Sequence, residues 1–130
     1  MNIELVKIPK IEDPRGNLSV IEKDILPFDI KRVYYLYDVP SGAERGGHSH
    51  IQQKEFLIAL SGSFDVILND GKSEKVITLN KPFEGLLINE EIWRELKNFS
   101  SGSVCLVVAS EVFEEEDYIR DFEEFLKSKV

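Results

Sequence analysis

Apolar and polar residues alternate over short stretches along most of the chain, and turns rich in Gly, Asn or Asp separate these stretches. The clearest strand is predicted at residues 31–38, KRVYYLYD, where β-branched and aromatic residues dominate. Further strands are predicted at residues 3–8, 18–22, 55–60, 64–68, 75–79, 85–88, 92–99 and 103–110. About ten short strands without a long helix between them predict a β-sandwich or β-barrel.

Two turns in the middle of the chain have the composition of hairpin connections. Residues 61–63, SGS, and residues 69–71, NDG, each separate two predicted strands. Asp-Gly is a favoured dipeptide in tight hairpins, and short Gly-containing loops serve the same purpose. The pattern therefore predicts two successive antiparallel hairpins.

The last part of the chain has a different period. In residues 117–127, DYIRDFEEFLK, the apolar side chains recur at helical spacing and acidic side chains occupy the other face. This pattern predicts a short amphipathic helix, packed on the outside of the β-structure or on a partner subunit. The acidic run at residues 114–117 is interpreted as the solvated start of that helix, where negative charge suits the helix dipole.

Composition indicates one ordinary folded domain spanning residues 1–130, with 42% hydrophobic and 31% charged residues. No apolar run approaches the roughly 20 residues of a membrane span, and the N-terminal sequence lacks a signal-peptide core, so a cytoplasmic location is expected. The net charge of −8 argues against binding to nucleic acid or an anionic membrane. Much of that charge lies in residues 111–124, so a positively charged pocket elsewhere is compatible with it.

Two histidines are the candidates for proton transfer or metal binding. His48 and His50 follow a glycine-containing turn and lead into the strand that ends at Gly62. In an extended segment the side-chain period of two places both imidazoles on one face. Imidazoles can transfer a proton near neutral pH or bind a metal, so the surrounding residues must discriminate between these roles.

The spacing around these histidines resembles the first motif of the cupin superfamily. Gly42 is followed by five residues, His48, one residue, His50, four residues, Glu55, six residues and Gly62. The resemblance implies an all-β fold, a cupin (jelly-roll) β-barrel, here with a short C-terminal α-helix.

Metal-binding cupins use the two histidines and the glutamate, and complete the site with a histidine from a second motif. The matching stretch here is residues 85–98, GLLINEEIWRELKN, in which Arg94 stands at the position of that histidine. A guanidinium group has no lone pair to give to a metal, and its charge repels a divalent cation. We therefore expect a site without metal or cofactor.

Over nearly its whole length the chain resembles the sugar-nucleotide 3,4-ketoisomerases, which act on dTDP-4-keto-6-deoxyglucose. The resemblance lies in DPRGNL at 13–18, IKRVYYLYD at 30–38, RGGHSH at 45–50, SGSFDVILNDG at 61–71, EIWRELKNFSS at 91–101 and VVASEVFEEEDYIRDFEEF at 107–125. It implies an isomerase that moves a ketone from C4 to C3 of a dTDP-linked keto-deoxyhexose. A base removes the proton at C3, and an acid returns a proton at C4.

The same resemblance suggests catalytic roles. His50 is expected to shuttle the proton between the two carbons, with His48 beside it holding the sugar or assisting. A tyrosine of the RVYY strand is expected to relay the proton between the two oxygens, with Tyr35 preferred over Tyr34. Because alternation directs these two tyrosines to opposite faces, they cannot serve equally.

Cationic residues of the matched motifs are expected to bind the substrate diphosphate, since the planar fork of arginine suits phosphate. Arg15 and Arg45 are the main candidates. The alternative for Arg15 is a salt bridge within its own turn. Arg32 is a further candidate that could instead pair with an acid such as Glu55.

Three residues around the second motif complete the predicted substrate-binding set: Trp93, Arg94 and Glu55. Relatives commonly have a histidine where Arg94 stands and a glutamine where Glu55 stands. The two departures suggest either a buried ion pair between Glu55 and Arg94 or a contact of Arg94 with an oxygen of the reaction intermediate.

Three alternative functions remain open from the sequence. A dTDP-sugar epimerase would use the same substrate and base but invert stereocentres, a non-enzymatic cupin would only bind a sugar, and a metal-dependent oxygenase would require a metal. Small β-barrels need their edge strands covered, so a homodimer is expected, with the N-terminal strand at an edge or exchanged.

Overall fold

The computed structural model describes residues 1–130, apart from the side chain of Lys23. Over these residues the chain forms twelve strands and one α-helix, α1 (Phe122–Ser128), with 3₁₀ turns at Lys23–Ile25 and Glu115–Asp117. The strands are β1 (Ile3–Lys7), β2 (Lys10–Ile11), β3 (Leu18–Ser19), β4 (Arg32–Leu36), β5 (Arg45–His50), β6 (Glu55–Ser61), β7 (Phe64–Asn69), β8 (Glu74–Leu79), β9 (Glu84–Ile88), β10 (Trp93–Lys97), β11 (Val104–Ala109) and β12 (Tyr118–Ile119).

Ten of the strands form two five-stranded antiparallel sheets. The first sheet has the order β1-β9-β6-β11-β4, and the second has the order β12-β5-β10-β7-β8. Strands β2 and β3 form a separate two-stranded ribbon. The predicted all-β jelly-roll fold with a C-terminal helix is confirmed, although its two sheets are not joined into a closed barrel over the described residues.

The main core lies between the two sheets, because both contribute alternate apolar side chains to one buried cluster. Its members include Leu57, Ala59, Val66, Leu68, Leu86, Ile88, Leu96 and Val107. A second cluster covers the outer face of the first sheet, where residues from the N-terminal segment pack on β6, β9 and β11. It contains Ile8, Leu26, Phe56, Ile58, Leu87 and Val108. Strand β6 is therefore buried on both faces.

One of the two predicted hairpins is correct. Strands β7 and β8 pair antiparallel from Phe64↔Leu79 to Asn69↔Glu74, across the NDG turn. Strands β6 and β7 belong to different sheets, so the hairpin predicted at residues 61–63 is wrong. Gly62 has φ +68°, and a Cβ there would meet Ser103 Cβ at 2.7 Å. The turn at Gly62 carries the chain from one sheet to the other instead of folding it back.

The predicted C-terminal helix is present but shorter. It begins after Asp121, whose side chain caps the first turn by accepting a hydrogen bond from the backbone N–H of Glu124. Residues 118–119 pair with β5 as strand β12 instead of being helical. The ring of Trp93 on the outside of the second sheet packs 5.3 Å from Phe122 and 5.8 Å from Phe125, centroid to centroid. The expected packing on the outer surface is confirmed.

The one α-helix that the described residues form is too short and polar to cross a membrane.

Candidate active site

A cavity of about 270 Å³ opens between the two sheets, at the end of the core. Strands β4, β5, β6 and β10 form its wall, and the segment after β11 forms its rim. We call residues 113–120, which supply the rim residues Phe113, Tyr118 and Arg120, the C-terminal strap. The cavity brings together side chains from both cupin-like motifs and from the C-terminal part of the chain.

The lining of this cavity is positively charged although the chain carries a net charge of −8. Among the described residues, four arginines line it, Arg32, Arg45, Arg94 and Arg120, together with a single carboxylate, Glu55. Fixed guanidinium groups in a partly dehydrated cleft attract anions more strongly than they do in water. The cavity is therefore suited to an anionic ligand.

The glycines of the RGGHSH segment let β5 approach β10 closely. Gly46 has φ +79°, and a Cβ at this position would lie 2.6 Å from Leu96 Cδ1. The register between β5 and β10 shifts at this point, and His48 then lies opposite Arg94. Both side chains line the cavity as a result.

His48 is the imidazole that faces the cavity. Its Nε2 atom is buried and has no hydrogen-bond partner among the protein groups of the described residues. Burial, followed by the nearby Arg94 guanidinium, lowers the pKa of His48 to about 2. At neutral pH the ring is therefore uncharged, and one of its two nitrogens carries a lone pair.

His50 shares the inward face with His48, as predicted, but it does not reach the cavity. Its ring is fully buried, and its Nδ1 lies 3.1 Å from Asp117 Oδ2. Strand β12 covers this end of β5, because Tyr118 pairs with His50. Burial lowers the pKa of His50 to about 4, with Glu55 opposing that shift. The structure thus places His48 at the cavity, whereas the resemblance led us to expect His50 there as the proton shuttle.

A buried polar cluster lies beside His48. Arg94 Nη1 donates to Glu55 Oε1 at 2.6 Å, while Glu55 Oε2 accepts from the Tyr34 hydroxyl at 2.7 Å and from Gln53 Nε2 at 2.9 Å. Glu55 and Arg94 are each 1% exposed. The ion pair suggested by the sequence is present, and both of its members also line the cavity.

Of the two candidate tyrosines, Tyr34 faces the cavity. Tyr35 lies on the opposite face of β4 and is 60% exposed, so the preference for Tyr35 is wrong for this cavity. Both faces of the strand carry phenols, and the alternation could not decide which face is internal. Burial and the adjacent Glu55 carboxylate raise the pKa of Tyr34, which keeps its hydroxyl protonated.

Arg32 is held by aromatic groups, not by Glu55. Its guanidinium lies 4.5 Å from the centroid of the Tyr34 ring and 5.2 Å from that of Phe113, and its Nη1 donates to the Tyr118 hydroxyl at 3.3 Å. Stacking of this kind orients the guanidinium group and leaves its other N–H groups available to donate hydrogen bonds to a ligand. Arg32 and Arg45 both line the cavity, as expected for substrate-binding residues.

Two predicted substrate-binding residues lie elsewhere. Arg15 stands on the turn after β2, where its exposed guanidinium donates to Asp13 Oδ1 and Oδ2 at 3.0 and 2.8 Å. This is the salt bridge that formed the alternative interpretation. Trp93 points away from the cavity, packs on α1, and donates from Nε1 to Glu95 Oε2 at 2.9 Å. Neither residue lines the cavity in the single chain.

Comparison with known proteins identifies the family to which the chain belongs. The family described as FdtA, WxcM-like, C-terminal, matches residues 1–130. A curated relative, TDP-4-oxo-6-deoxy-alpha-D-glucose-3,4-oxoisomerase from Aneurinibacillus thermoaerophilus, is 41% identical over 128 residues, which cover 98% of this chain and 92% of that protein.

Two solved structures are similar over almost the whole chain. The 3,4-ketoisomerase from Helicobacter canadensis is 42% identical with a TM-score of 0.96, covering 99% of this chain and 98% of its own. A histidine-to-asparagine mutant of a Thermoanaerobacterium thermosaccharolyticum 3,4-ketoisomerase, in complex with TDP-4-keto-6-deoxyglucose, is also 42% identical with a TM-score of 0.96, covering 98% and 94%. The chain belongs to the sugar-nucleotide 3,4-ketoisomerase family. The predicted isomerase class is confirmed by this membership.

A likeness to an epimerase extends only to the fold. The dTDP-4-dehydrorhamnose 3,5-epimerase from Bacillus anthracis has a TM-score of 0.80 but is 13% identical, covering 90% of this chain and 77% of its own. It establishes a shared fold and carries no further argument about the reaction.

The C-terminal strap contributes side chains to this ketoisomerase-family site that the sequence pattern does not predict. The helical spacing at residues 117–127 predicts a helix, whereas Tyr118 and Arg120 share one side of an extended segment and both line the cavity. Asp121 followed by Glu124 three residues later resembles a helix-capping pattern, which would have placed the helix start after residue 121. The three residues before that cap could then have been interpreted as extended.

The donor set of this family member does not fit a divalent cation. One ligand atom each from His48, His50 and Glu55 lies within 4.8 Å of the others. Both carboxylate oxygens of Glu55 already accept hydrogen bonds, one of them from the Arg94 guanidinium. A cation placed among the three residues would displace these bonds and be repelled by Arg94. Independence from metal stays a prediction from the residues present.

Proposed function

We propose that this protein isomerises dTDP-4-keto-6-deoxyglucose to a dTDP-3-keto-6-deoxyhexose, with His48 as the proton shuttle. One observation carries the proposal: an uncharged imidazole and a buried phenol, His48 and Tyr34, face the same arginine-lined cavity. The relatives named for this reaction or bound to this substrate support the same choice of substrate.

The proton at C3 is acidic because it lies next to the C4 ketone. A neutral His48 removes it, which leaves an enediolate, and the resulting imidazolium returns a proton to C4. One base can serve both adjacent carbons if the sugar is held with one face toward the ring. General acid and base assistance of this kind contributes about 10²- to 10⁴-fold to the rate.

Tyr34 and Arg94 serve the oxygens. The Tyr34 hydroxyl, oriented by Glu55 at 2.7 Å, relays a proton from the C3 hydroxyl to the C4 oxygen. Arg94 Nε is a buried N–H without a protein acceptor among the residues that the structure describes. A fixed donor of this kind stabilises the negative charge that develops on the enediolate. Glu55 keeps both groups in place.

The remaining arginines bind the diphosphate. Arg32, Arg45 and Arg120 lie along the cavity wall and rim. Arg120 already donates from Nε and Nη2 to Glu115, which leaves its Nη1 group to join Arg32 and Arg45 in charge-assisted hydrogen bonds with phosphate oxygens. Anchoring the diphosphate holds the hexose over His48, and such positioning contributes several kcal/mol to catalysis, an order-of-magnitude figure. Among the diphosphate-binding arginines proposed for the single chain, Arg120 takes the place of Arg15, which does not line the cavity.

Incubation with dTDP-4-keto-6-deoxyglucose in heavy water tests the proposal. We expect proton NMR to show the ketone at C3 and solvent deuterium at C4 of the product. An unchanged 4-keto sugar, or a product with an inverted stereocentre and the ketone still at C4, would overturn the proposal. The second outcome would restore the epimerase alternative.

The depressed pKa values of both histidines predict an unusual pH dependence. His48, with a pKa lowered to about 2, stays neutral when the pH falls below the ordinary histidine value. We expect kcat/KM to remain flat from pH about 8 down to about 5, without a fall centred near pH 6.5. An acidic limb at that pH would show that the catalytic imidazole is exposed and contradict its assignment to His48.

The same shifts fix the sign of the effect on stability. The unfolded chain takes up protons on its histidines below pH about 6.5, whereas the folded chain does so only near the lowered values. The free energy of unfolding is therefore expected to fall as the pH drops from about 6.5 toward 4. Urea titrations at several pH values measure this dependence, and His48→Asn should reduce it.

We also propose that the protein is a homodimer. Strand β4 is an edge of the first sheet, and its outer face exposes Val33 and Tyr35 at 53% and 60%; Tyr37, directly after the strand, is also 60% exposed. A partner subunit covering this edge would bury apolar area and block further strand pairing. Sedimentation at micromolar concentration is expected to give a dimer, and a 14.9 kDa species would contradict it. The cytoplasmic location stays a prediction.

A further inference from the structure

Asp117 holds together three parts of the site behind the cavity. Its Oδ1 accepts from the backbone N–H of Gln52 at 2.7 Å, and its Oδ2 accepts from the backbone N–H of Gln53 at 3.2 Å and lies 3.1 Å from His50 Nδ1. The residue stands at the end of a 3₁₀ turn, directly before Tyr118. One carboxylate therefore ties the C-terminal strap to the turn that follows β5.

These contacts determine where His50 carries its proton. A carboxylate can only accept, so Nδ1 is the protonated nitrogen and Nε2 keeps a lone pair. The Gln53 amide nitrogen lies 3.4 Å from His50 Nε2 and 2.9 Å from Glu55 Oε2, so its two hydrogens can satisfy both acceptors. The tautomer of His50 is thus matched to the cluster around Glu55.

His48, in contrast, depends on packing for its orientation. Its ring lies 4.8 Å from the His50 ring at an interplanar angle of 82°, and 5.0 Å from the Tyr118 ring. The His50 and Tyr118 rings are themselves 4.4 Å apart. His48 therefore packs against two rings that both depend on Asp117. The His50 ring is hydrogen-bonded to the Asp117 carboxylate, and Tyr118 directly follows Asp117 in the chain.

We propose that Asp117 is a positioning residue for proton transfer: it fixes the tautomer of His50 and the place of Tyr118, and these two rings set the orientation of His48. This inference rests on the proposed role of His48. It adds a residue outside the cavity to the machinery, acting through its neighbours and not through contact with the sugar.

Asp117→Asn tests the proposal because it keeps the shape of the side chain. The amide oxygen can still accept from Gln52, but the amide nitrogen then faces two donors, the Gln53 N–H and the protonated His50 Nδ1. The conflict with His50 is relieved if its proton moves to Nε2, while the Gln53 N–H stays without an acceptor. We expect this tautomer change together with a fall in kcat of about tenfold to about 100-fold, the range known for residues that orient a metal-bound imidazole, and a KM within about threefold of wild type.

The chain has two histidines, so a ¹⁵N spectrum of the imidazoles contains only two ring systems, which His48→Asn assigns. The matched control is Glu116→Gln, which removes the same charge from an exposed neighbour and should change neither the spectrum nor kcat. An Asp117→Asn protein with a wild-type tautomer and kcat would overturn the proposal. So would a wild-type spectrum with His50 protonated at Nε2, which requires no variant to fold. If the wild type lacks isomerase activity, the proposed function fails, and the spectra still decide whether Asp117 fixes His50.

Discussion

His48→Asn is expected to lower kcat for isomerisation by about 10²- to 10⁴-fold, the range that a general acid or base contributes. The side chain lines the cavity, and its Nε2 atom has no protein hydrogen-bond partner among the described residues, so the replacement removes the base without breaking a hydrogen bond at that atom. Binding of dTDP, measured by calorimetry, should stay within about threefold of wild type, since the diphosphate contacts are assigned to arginines.

His50→Asn is the matched comparison, because it removes the neighbouring imidazole from the same strand face. Its expected loss of kcat is smaller, and its expected loss of stability is larger, because His50 is buried and bonded to Asp117. If His50→Asn abolished turnover while His48→Asn retained it, the shuttle would be His50 after all.

Glu55→Leu is expected to lower the free energy of unfolding by about 3–5 kcal/mol, the range for removing one member of a buried ion pair. The substitution leaves the 1%-exposed Arg94 without its counter-ion and deprives the Tyr34 hydroxyl and the Gln53 amide of their acceptor. Chemical denaturation at pH 7 measures the change. The variant should also lose activity, since Tyr34 and Arg94 would no longer be held in place.

The double variant Glu55→Leu with Arg94→Met separates charge burial from packing. Replacing both charges by apolar groups of similar size removes the unpaired guanidinium, so the part of the lost stability that comes from the buried charge should return. The part that comes from the Tyr34 hydroxyl and the Gln53 amide should not, because both still lack their acceptor. A double variant that loses the sum of the two single losses would show that the pair is not coupled. A cost below about 1 kcal/mol for Glu55→Leu alone would contradict the role of Glu55 as the centre of the cluster.

The strands could be predicted from the sequence because alternation is a local property of each strand, whereas the jelly-roll arrangement is implied by the resemblance to the cupins. Strand β4 and the strands from β6 to β11 lie close to their predicted positions. The hairpin predicted at Gly62 is wrong because a short glycine turn has the same composition whether it closes a hairpin or connects two sheets. Only the pairing of distant strands distinguishes the two cases.

The candidate site was predictable in its motifs but not in its orientation. Alternation correctly placed His48 and His50 on one face, yet only tertiary structure determines which of them is covered. The covering element is β12, a strand of two residues in a segment whose acidic composition is typical of a helix start. The roles of three residues could therefore not be predicted from the sequence, because they depend on the pairing of β12 with β5: Asp117, Tyr118 and Arg120.

The most direct test of the central claim is the fate of a deuterium placed at C3 of dTDP-4-keto-6-deoxyglucose. With the wild-type protein we predict that NMR will show the C3 label lost in step with ketone migration, with part of it found at C4. With His48→Asn the label should stay at C3 over the same period. Loss of the C3 label at the wild-type rate in that variant would contradict proton transfer by His48.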